Sequence, residues 1–178
     1  MRPGKAMNSA PDIDRISQPA AHVRALLEDV TDPEIPVLTI GDLGIVRDVT
    51  LDEAGAVTVT ITPTYSGCPA MTVIEVAIRD RLMRAGFEAI SVKTVLAPAW
   101  TTDWLSDAGR TKLEAYGIAP PVGSAGGRGA LFSDDPVVRC PKCGAGETEK
   151  ISEFGSTACK AHYRCRACDE PFDYFKCL

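Results

Sequence analysis

The sequence predicts an α/β fold, a small two-layer sandwich with a mixed three-stranded sheet, followed by a C-terminal four-cysteine zinc ribbon. Three observations lead to this class. Helical and strand periodicities alternate in the order helix, strand, strand, helix, strand, helix over residues 17–118, which is typical of helices packed on one sheet. A stretch rich in Gly, Pro and Ser follows over residues 119–138. Two CxxC pairs then stand within residues 139–178, the pattern of a metal-stapled module.

Composition and charge exclude several classes of function. The 178 residues carry a formal net charge of −5. Residues 19–118 hold 8 Lys and Arg against 14 Asp and Glu, and residues 139–178 hold 7 against 6. Neither segment is the basic surface that nucleic-acid binding requires. No apolar run is long enough for a membrane span or a secretory leader. Seven cysteines without an export signal favour reduced or metal-bound thiols and a cytoplasmic location.

The first helix is predicted from Ser17 to Val30. Residues 1–16 are polar and aperiodic, so we expect a disordered tail there. Ser17 is the predicted N-cap, and the helix must end before Asp32-Pro33 because a proline disfavours helix at the preceding residue. We interpret His22, which lies beside the apolar stripe, as a surface or packing residue, since a metal site needs convergent partners.

A hairpin and a central helix form the middle of the predicted domain. A strand through residues 45–51 turns at residues 52–55 into a second strand at 57–62, where apolar and polar residues alternate. After a loop, Pro69 opens a helix that Gly86 ends. Its predicted buried stripe is Met71, Ile74, Ile78, Leu82 and Ala85.

The other face of the central helix carries Val73, Val76 and Met83. We expect the last helix to cover them, and a contact surface is the alternative. A third strand is predicted at 90–96, reached by a right-handed crossover. One long helix is predicted from Ala99 to Gly117, with Thr101 or Thr102 as its cap.

Cys68 is the principal candidate for chemistry. It lies between the predicted second strand and the central helix, directly before the start of that helix. Unpaired N–H groups at a helix start stabilise a thiolate. The alternative is a small buried hydrophobic residue. Asp32 and Glu34 are two nearby carboxylates in a proline-stiffened loop. The favoured interpretation of that loop is a turn capped by Asp32, and acid–base chemistry is the alternative.

The C-terminal module is predicted to bind a structural zinc ion. Each CxxC pair offers two thiolates, and two pairs close a tetrahedral site without an open position. The ligands are Cys140, Cys143, Cys165 and Cys168. Two redox disulfides are the alternative, disfavoured in a reducing compartment. Cys159, His162 and Cys177 are too few for a second metal site and are expected to be packing residues. Thiolates bind iron as well as zinc, so iron is the alternative metal at these four cysteines.

Five sequence motifs, in order along the chain, resemble those of a known family. They are Asp32-Pro33-Glu34-Ile35-Pro36, Asp42-Leu43-Gly44-Ile45-Val46, Thr60-x-Thr62 before Gly67-Cys68-Pro69, Pro98-Ala99-Trp100-Thr101-Thr102-Asp103-Trp104-Leu105, and Phe154-Gly155-Ser156-Thr157-x-Cys159-Lys160 with the four-cysteine module. The first three are similar to the SufT-like metal–sulfur cluster biosynthesis family. The last two narrow this to the PaaD (PaaJ) branch, which belongs to the phenylacetyl-CoA monooxygenase (1,2-epoxidase) system. The resemblance covers residues 20–178 apart from the linker.

The resemblance implies an α/β sandwich and an accessory role in phenylacetate degradation. Members help to place iron–sulfur clusters in client proteins, and Cys68 matches their reactive cysteine. We therefore expect a non-enzymatic factor that assists cluster maturation of the iron–sulfur reductase subunit. Asp32 and Glu34 are expected to flank the site, which would hold transient iron or a cluster. A single thiolate cannot hold a cluster alone, so a client, a carrier or a second copy in a homodimer must supply other ligands. The ribbon would be a docking arm. The rival hypotheses are a scaffold subunit of the oxygenase complex, a catalytic oxygenase component and a nucleic-acid ribbon.

Overall fold

The computed structural model describes residues 13–123 and 137–176, without the side chains of residues 13–18. The predicted tail up to residue 12, most of the linker and Cys177 lie outside these ranges. In chain order the elements are α1 (Ile13–Leu27), β1 (Val46–Leu51), β2 (Val57–Ile61), α2 (Ala70–Arg84), β3 (Ile90–Thr94), a 3-10 turn (Thr102–Trp104), α3 (Asp107–Tyr116), β4 (Ile118–Ala119), β5 (Thr148–Ser152), β6 (Lys160–Cys165) and β7 (Pro171–Phe175).

The first sheet has the order β1-β2-β3. β1 runs antiparallel to β2, and β3 runs parallel to β2 with Val59 opposite Val92. The turn between β1 and β2 is held by Asp52, whose Oδ1 accepts hydrogen bonds from the backbone N–H of Ala54 and Ala56. Alternate residues of β2 are buried, as the sequence period predicts. The mixed three-stranded sheet and the predicted order of elements are confirmed.

The helix α1 begins earlier than the periodicity indicates. It starts at Ile13, so residues 13–16 of the predicted tail are helical, and Ser17 lies inside the helix and is not its N-cap. Val23 and Leu27 point into the core as expected, and His22 is exposed.

The helix α2 buries Met71, Ile74, Ile78 and Leu82 against the sheet. Ala85, predicted in this stripe, is exposed because it forms the C-cap. The prediction that the last helix covers the opposite face is wrong: Val73, Val76 and Met83 are exposed by 54 to 62%. That helix packs elsewhere, against the turn at residues 41–44.

Two segments replace the single last helix that the sequence predicts. Thr101 caps the short 3-10 turn by accepting a hydrogen bond from the N–H of Asp103. Leu105 is extended and buried, and Ser106 then caps α3 through the N–H of Gly109. A second N-cap so close to the first interrupts the helix. Asp42 holds α3 in place: its carboxylate accepts hydrogen bonds from Lys112 Nζ and, at 3.1 Å, from Ser106 Oγ.

The ribbon forms a second sheet with the order β4-β7-β6-β5. Its edge strand β4 follows α3 directly and pairs in parallel with β7, so Ala119, assigned to the linker from its sequence, is a strand residue. The ribbon has its own apolar cluster, which includes Tyr163, Phe172 and Tyr174.

Two ribbon residues belong to the other core. Phe175 and Cys159 are buried in the apolar cluster of the α/β domain. The ring of Phe175 meets the ring of Trp100 edge-on, with centroids 6.1 Å apart. The sequence suggests a docking arm on a linker, whereas the structure shows the ribbon packed against the α/β domain.

Candidate functional site

Cys68 lies at the junction of β2 and α2. The loop after β2 passes through Gly67, whose φ of 87° is a left-handed conformation that favours glycine. The N–H of Cys68 then bonds the carbonyl of Tyr65 at 3.2 Å, and the carbonyl of Cys68 accepts the N–H of Met71 at 3.3 Å. Pro69, the N-cap of α2, has no side-chain cap to offer, so the free N–H groups of the first turn remain beside the cysteine. The predicted placement of Cys68 is confirmed.

The Cys68 thiol is half-buried and hydrogen-bonded. Its sulfur accepts from the N–H of Ala70 and from the hydroxyl of Tyr65, and both bonds lower its pKa. Burial outweighs them and raises the pKa above its ordinary value of 9.0, with a further rise from the negative charges of Glu34 and Asp32. The expectation of an ionised sulfur is therefore wrong for the free chain, because desolvation exceeds the help of the helix start. The site presents a reachable thiol.

Asp32 and Glu34 lie near Cys68, although they belong to a loop that is remote from it in sequence. Asp32 is 7% exposed, and its Oδ1 accepts the N–H groups of Glu34 and Ile35 at 2.7 and 2.8 Å. This confirms the turn with a capping Asp. Burial raises the pKa of Glu34, and the Asp32 charge raises it further, while Lys160 lowers it. The structure brings the three predicted residues together, and their role toward a cluster or client stays a prediction.

Tyr65 was not singled out from the sequence. Burial, followed by the neighbouring charge of Cys68, raises the pKa of its phenol to about 12, so the hydroxyl remains a donor at neutral pH. Tyr65 also lines a cavity of about 170 Å³ with Thr62, Ser66, Leu96 and Trp100. The Thr62 hydroxyl at this cavity is buried and has no hydrogen-bond partner within the described part of the chain.

Two further residues near the site come from the ribbon. Cys159 is 5% exposed, and burial, followed by the charges of Glu34 and Asp32, raises its pKa. Lys160 is 4% exposed and pairs with Asp173 at 3.4 Å. The spacing of the sequence could not place this turn near Glu34 and Asp32, because only the tertiary packing of the two modules brings them together.

The four ribbon cysteines form the predicted metal site. The Sγ atoms of Cys140, Cys143, Cys165 and Cys168 all lie within 4.8 Å of one another. Within residues 13–123 and 137–176, this is the only group of three or more His, Cys, Asp or Glu ligand atoms so close together. Backbone hydrogen bonds shape each CxxC turn, and one of them runs from the N–H of Gly144 to the carbonyl of Cys140 at 2.8 Å. Four convergent thiols fit a tetrahedral, closed metal site.

Neither histidine is placed as a base for Cys68. His22 is exposed on α1, and His162 in the ribbon bonds Asp173 Oδ1 through Nδ1 at 3.2 Å. Activation of a cysteine nucleophile needs such a base. In the described ranges, no helix has the length and apolar character required to cross a membrane.

The fold and the Cys68 junction place the first domain among iron–sulfur cluster assembly proteins. The model of that family, described as iron-sulfur cluster assembly protein, matches residues 20–95. An Fe-S protein maturation auxiliary factor of Porphyromonas gingivalis is 35% identical over 46% of this chain and 78% of its own length. The crystal structure of a Bacillus anthracis domain of unknown function aligns with a TM-score of 0.54 at 30% identity, covering 57% of this chain and 97% of that domain.

The ribbon narrows the assignment. The family model described as PaaD zinc beta ribbon domain matches residues 125–176. A protein of Escherichia coli K12, provisionally named as a subunit of 1,2-phenylacetyl-CoA epoxidase, is 52% identical over 92% of this chain and 96% of its own length. The chain therefore belongs to the PaaD family of phenylacetyl-CoA epoxidase subunits, with an iron–sulfur assembly domain and a ribbon. Cys68 lies within the first family match and Cys159 within the second.

Proposed function

We propose that this chain is a non-catalytic, cytoplasmic accessory factor that assists iron–sulfur cluster maturation of the reductase subunit of a phenylacetyl-CoA epoxidase. One observation carries the proposal: a half-buried Cys68 thiol is fixed at the start of α2, near two carboxylates and a phenol. The names of the relatives support both halves of it, since they are called Fe-S protein maturation auxiliary factors and an epoxidase subunit.

The neighbours of Cys68 suit it to transient binding. The free chain holds a proton on this sulfur at neutral pH, because burial and the nearby carboxylates raise its pKa. Iron that arrives at the site, alone or in a cluster, displaces this proton, since metals bind the thiolate. Glu34, a nearby carboxylate whose pKa is itself raised, is suited to accept the proton. A ligand that must lose a proton to bind is also released more readily than a permanent thiolate.

The ribbon metal is structural in this proposal. We propose zinc held by Cys140, Cys143, Cys165 and Cys168, since zinc prefers four thiolates in a closed tetrahedron. Zinc there stabilises the fold of the ribbon and leaves no coordination position for substrate.

The second candidate is a scaffold subunit that only stabilises the epoxidase complex. The name of the Escherichia coli relative, a subunit of the epoxidase, favours it. In that case the chain is needed for complex assembly, but Cys68 is dispensable. A catalytic component has less support, since His162 is paired with Asp173 and His22 is exposed on α1.

The test compares cells that carry the wild-type chain, Cys68→Ser, or Ser66→Ala as a control on the same loop. Iron and acid-labile sulfide are counted in the purified reductase subunit, and its electron transfer to an artificial acceptor is measured. We expect both to fall with Cys68→Ser and to stay normal with Ser66→Ala. A fully loaded, active reductase from the Cys68→Ser cells would refute maturation. If deleting the chain then dissolved the complex while the reductase clusters stayed intact, the scaffold role would replace it.

A further inference from the structure

The strand β3 forms one edge of the first sheet. The strand order β1-β2-β3 leaves its outer side without a partner strand in the part of the chain that the structure describes. On its inner side, the carbonyl of Ala89 accepts the N–H of Val57 at 2.8 Å. Because the backbone groups of successive residues point to opposite sides of a strand, those of residues 90, 92 and 94 point outward. Such a row of outward N–H and C=O groups is a template for another strand.

Helix α2 lies beside this edge and contacts both of its ends. Arg79 Nη1 donates to the outward carbonyl of Ile90 at 2.7 Å, and Glu75 Oε1 accepts a hydrogen bond from Thr94 Oγ1 at 2.9 Å. Residues four apart lie on the same side of a helix, so one flank of α2 runs along β3. The opposite flank faces α1, to which Arg81 is joined by an ion pair of 2.7 Å.

The flank of α2 beside β3 continues into exposed apolar side chains. Val76 lies three residues before Arg79 and Met83 four residues after it, which places all three on one side of the helix. The two apolar residues are 62% and 57% exposed. Adjoining exposed apolar groups mark interaction sites. The strand edge and the helix flank together form one surface, the β3 edge surface, which consists of residues 90–94, Glu75, Val76, Arg79 and Met83.

The charges of the β3 edge surface are self-complementary. In an antiparallel pair of two β3 strands centred on Val92, Ile90 of one copy faces Thr94 of the other. Arg79 is bonded to Ile90 and Glu75 to Thr94. Arg79 of each copy therefore meets Glu75 of the other, so that the pairing brings opposite charges together at both ends of the strand.

The same two-fold axis serves the helix. The midpoint between Glu75 and Arg79 is position 77 of α2, and the midpoint of β3 is Val92. An axis through both positions sets the two copies of α2 antiparallel. Val76 then lies beside the axis and packs against its counterpart, and Met83 packs near the start of the other copy's α2. The exposed apolar groups are thereby buried by the operation that pairs the strands.

Lys93 does not oppose this pairing. Its side chain is exposed, and a lysine on an edge strand commonly discourages association with another strand. In the pair centred on Val92, however, Lys93 faces Ser91 of the other copy. Like charges directly opposite each other would destabilise the pair, and this register avoids them.

We propose that two copies of this chain associate through the β3 edge surface, so that their three-stranded sheets join into one and their α2 helices pack across a two-fold axis. A second copy fits this surface because its charges and apolar groups repeat in reverse order about one axis, the property of an interface that binds itself. The inference is independent of the proposed function.

The arrangement separates the two Cys68 sites. Cys68 lies nine residues before position 77 of α2, so at about 1.5 Å per residue the two Cys68 residues are about 27 Å apart along the paired helices. They are too far apart to share one metal ion or cluster. The second copy therefore does not supply the ligands that Cys68 lacks, and a client or a carrier must do so.

The experiment measures the dissociation constant of the full-length, zinc-loaded chain by sedimentation equilibrium over a range of concentrations. The variants are Glu75→Arg and Arg79→Glu, each alone and in an equimolar mixture, and Val76→Glu. Tyr116→Glu is the matched control, because Tyr116 is an apolar side chain of α3 that is 55% exposed and lies outside the β3 edge surface. Zinc content and far-UV circular dichroism show whether each variant is folded.

We expect Glu75→Arg and Arg79→Glu, each alone, to raise the dissociation constant at least about tenfold, since each sets like charges against each other across the axis. Their mixture should recover a dimer that contains one copy of each, because opposite charges then meet again. Val76→Glu should also dissociate the dimer, and Tyr116→Glu should match wild type. A monomeric wild-type chain at every concentration, or a mixture of folded charge variants that stays monomeric, would overturn the inference.

Hydrogen exchange of the wild-type chain is a second readout that needs no substitution. The outward amides of Val92 and Thr94 should become protected as the concentration rises through the dissociation constant. The amides of Ser91 and Lys93, which point toward β2, should be protected throughout. Protection of Val92 and Thr94 at every concentration in a monomeric chain would mean that another segment of the same chain, such as residues 124–136, covers the edge, and would overturn the inference.

Discussion

Replacing Phe175 by Ala should destabilise the α/β domain, although Phe175 belongs to the ribbon. The side chain is 1% exposed within the core of the other domain and meets the ring of Trp100 edge-on. Truncating a buried Phe costs about 3 to 5 kcal/mol, and about 0.5 to 1.5 kcal/mol of that range is the aromatic pair. With a urea dependence of about 2 kcal/mol per molar, the midpoint should fall by roughly 1.5 to 2.5 M.

The assay is urea unfolding followed by tryptophan fluorescence, with zinc release to a chromogenic chelator as a second probe. Phe172→Ala is the matched control, because Phe172 lies on the same strand and is also buried, but stacks on Tyr163 inside the ribbon. The native tryptophan emission should shift in Phe175→Ala, which removes a ring from Trp100, and stay unchanged in Phe172→Ala. A wild-type tryptophan midpoint and emission in Phe175→Ala would show that the ribbon is an independent arm and refute the packing argument.

The remaining predictions concern the thiol site, the Asp32 turn and the ribbon metal. Burial raises the Cys68 pKa above 9.0, so the rate of its alkylation by iodoacetamide should titrate with a midpoint above pH 9. Glu34→Gln removes a negative charge that raises this pKa and should lower the midpoint, whereas Tyr65→Phe removes a hydrogen-bond donor to the thiolate and should raise it. Equal midpoints in the wild type and both variants would contradict these assigned causes. The same shift means that the folded chain holds this proton more tightly, so its stabilising contribution, complete below the unfolded pKa, should be lost as pH rises through the folded one. The unfolding free energy of wild type should therefore decline more steeply above pH 9 than that of Cys68→Ser, and parallel curves would count against it. Asp32→Ala leaves two N–H groups, that of Ile35 buried and that of Glu34 partly buried, without their acceptor. It should cost about 2 kcal/mol of unfolding free energy, with Asp32→Asn costing less, and no loss in urea unfolding would argue against the turn. The four-cysteine site fixes the CxxC turn before β5 and the CxxC turn at the end of β6. A metal-stapled module of this size unfolds without its ion. Stripping the metal with a chelator should therefore shift the emission of Trp100, and zinc should restore it; constant emission while circular dichroism shows loss of ribbon strands would contradict the coupling between the two modules.

Much of the fold could be predicted because it depends on local patterns. The alternation in β2, the stripe of α2 and the Asp32 turn each follow from a few adjacent residues, and the structure confirms them. The spacing of the two CxxC pairs predicts that their four sulfur atoms converge, and the structure confirms it. The interrupted last helix was missed because a second cap at Ser106 competes with a continuous helical pattern.

The ionisation of Cys68 could not be predicted from its position at a helix start. The local N–H group of Ala70 does favour the thiolate, as expected. The opposing effects, burial and two carboxylates brought from a distant loop, exist only in the folded chain. A pKa is a sum over all neighbours in space, and local sequence contains only some of them.

The sequence by itself determined the family, the order of elements and the identity of the metal-binding cysteines, since those depend on motif, period and spacing along the chain. Only the tertiary structure decided that Val73, Val76 and Met83 on α2 are exposed, that Phe175 packs against Trp100, and that Cys159 is buried in the core of the α/β domain. The physical reason is that packing between two modules depends on the complementarity of surfaces that are remote in sequence. No periodicity within either module records which surface the other will bury.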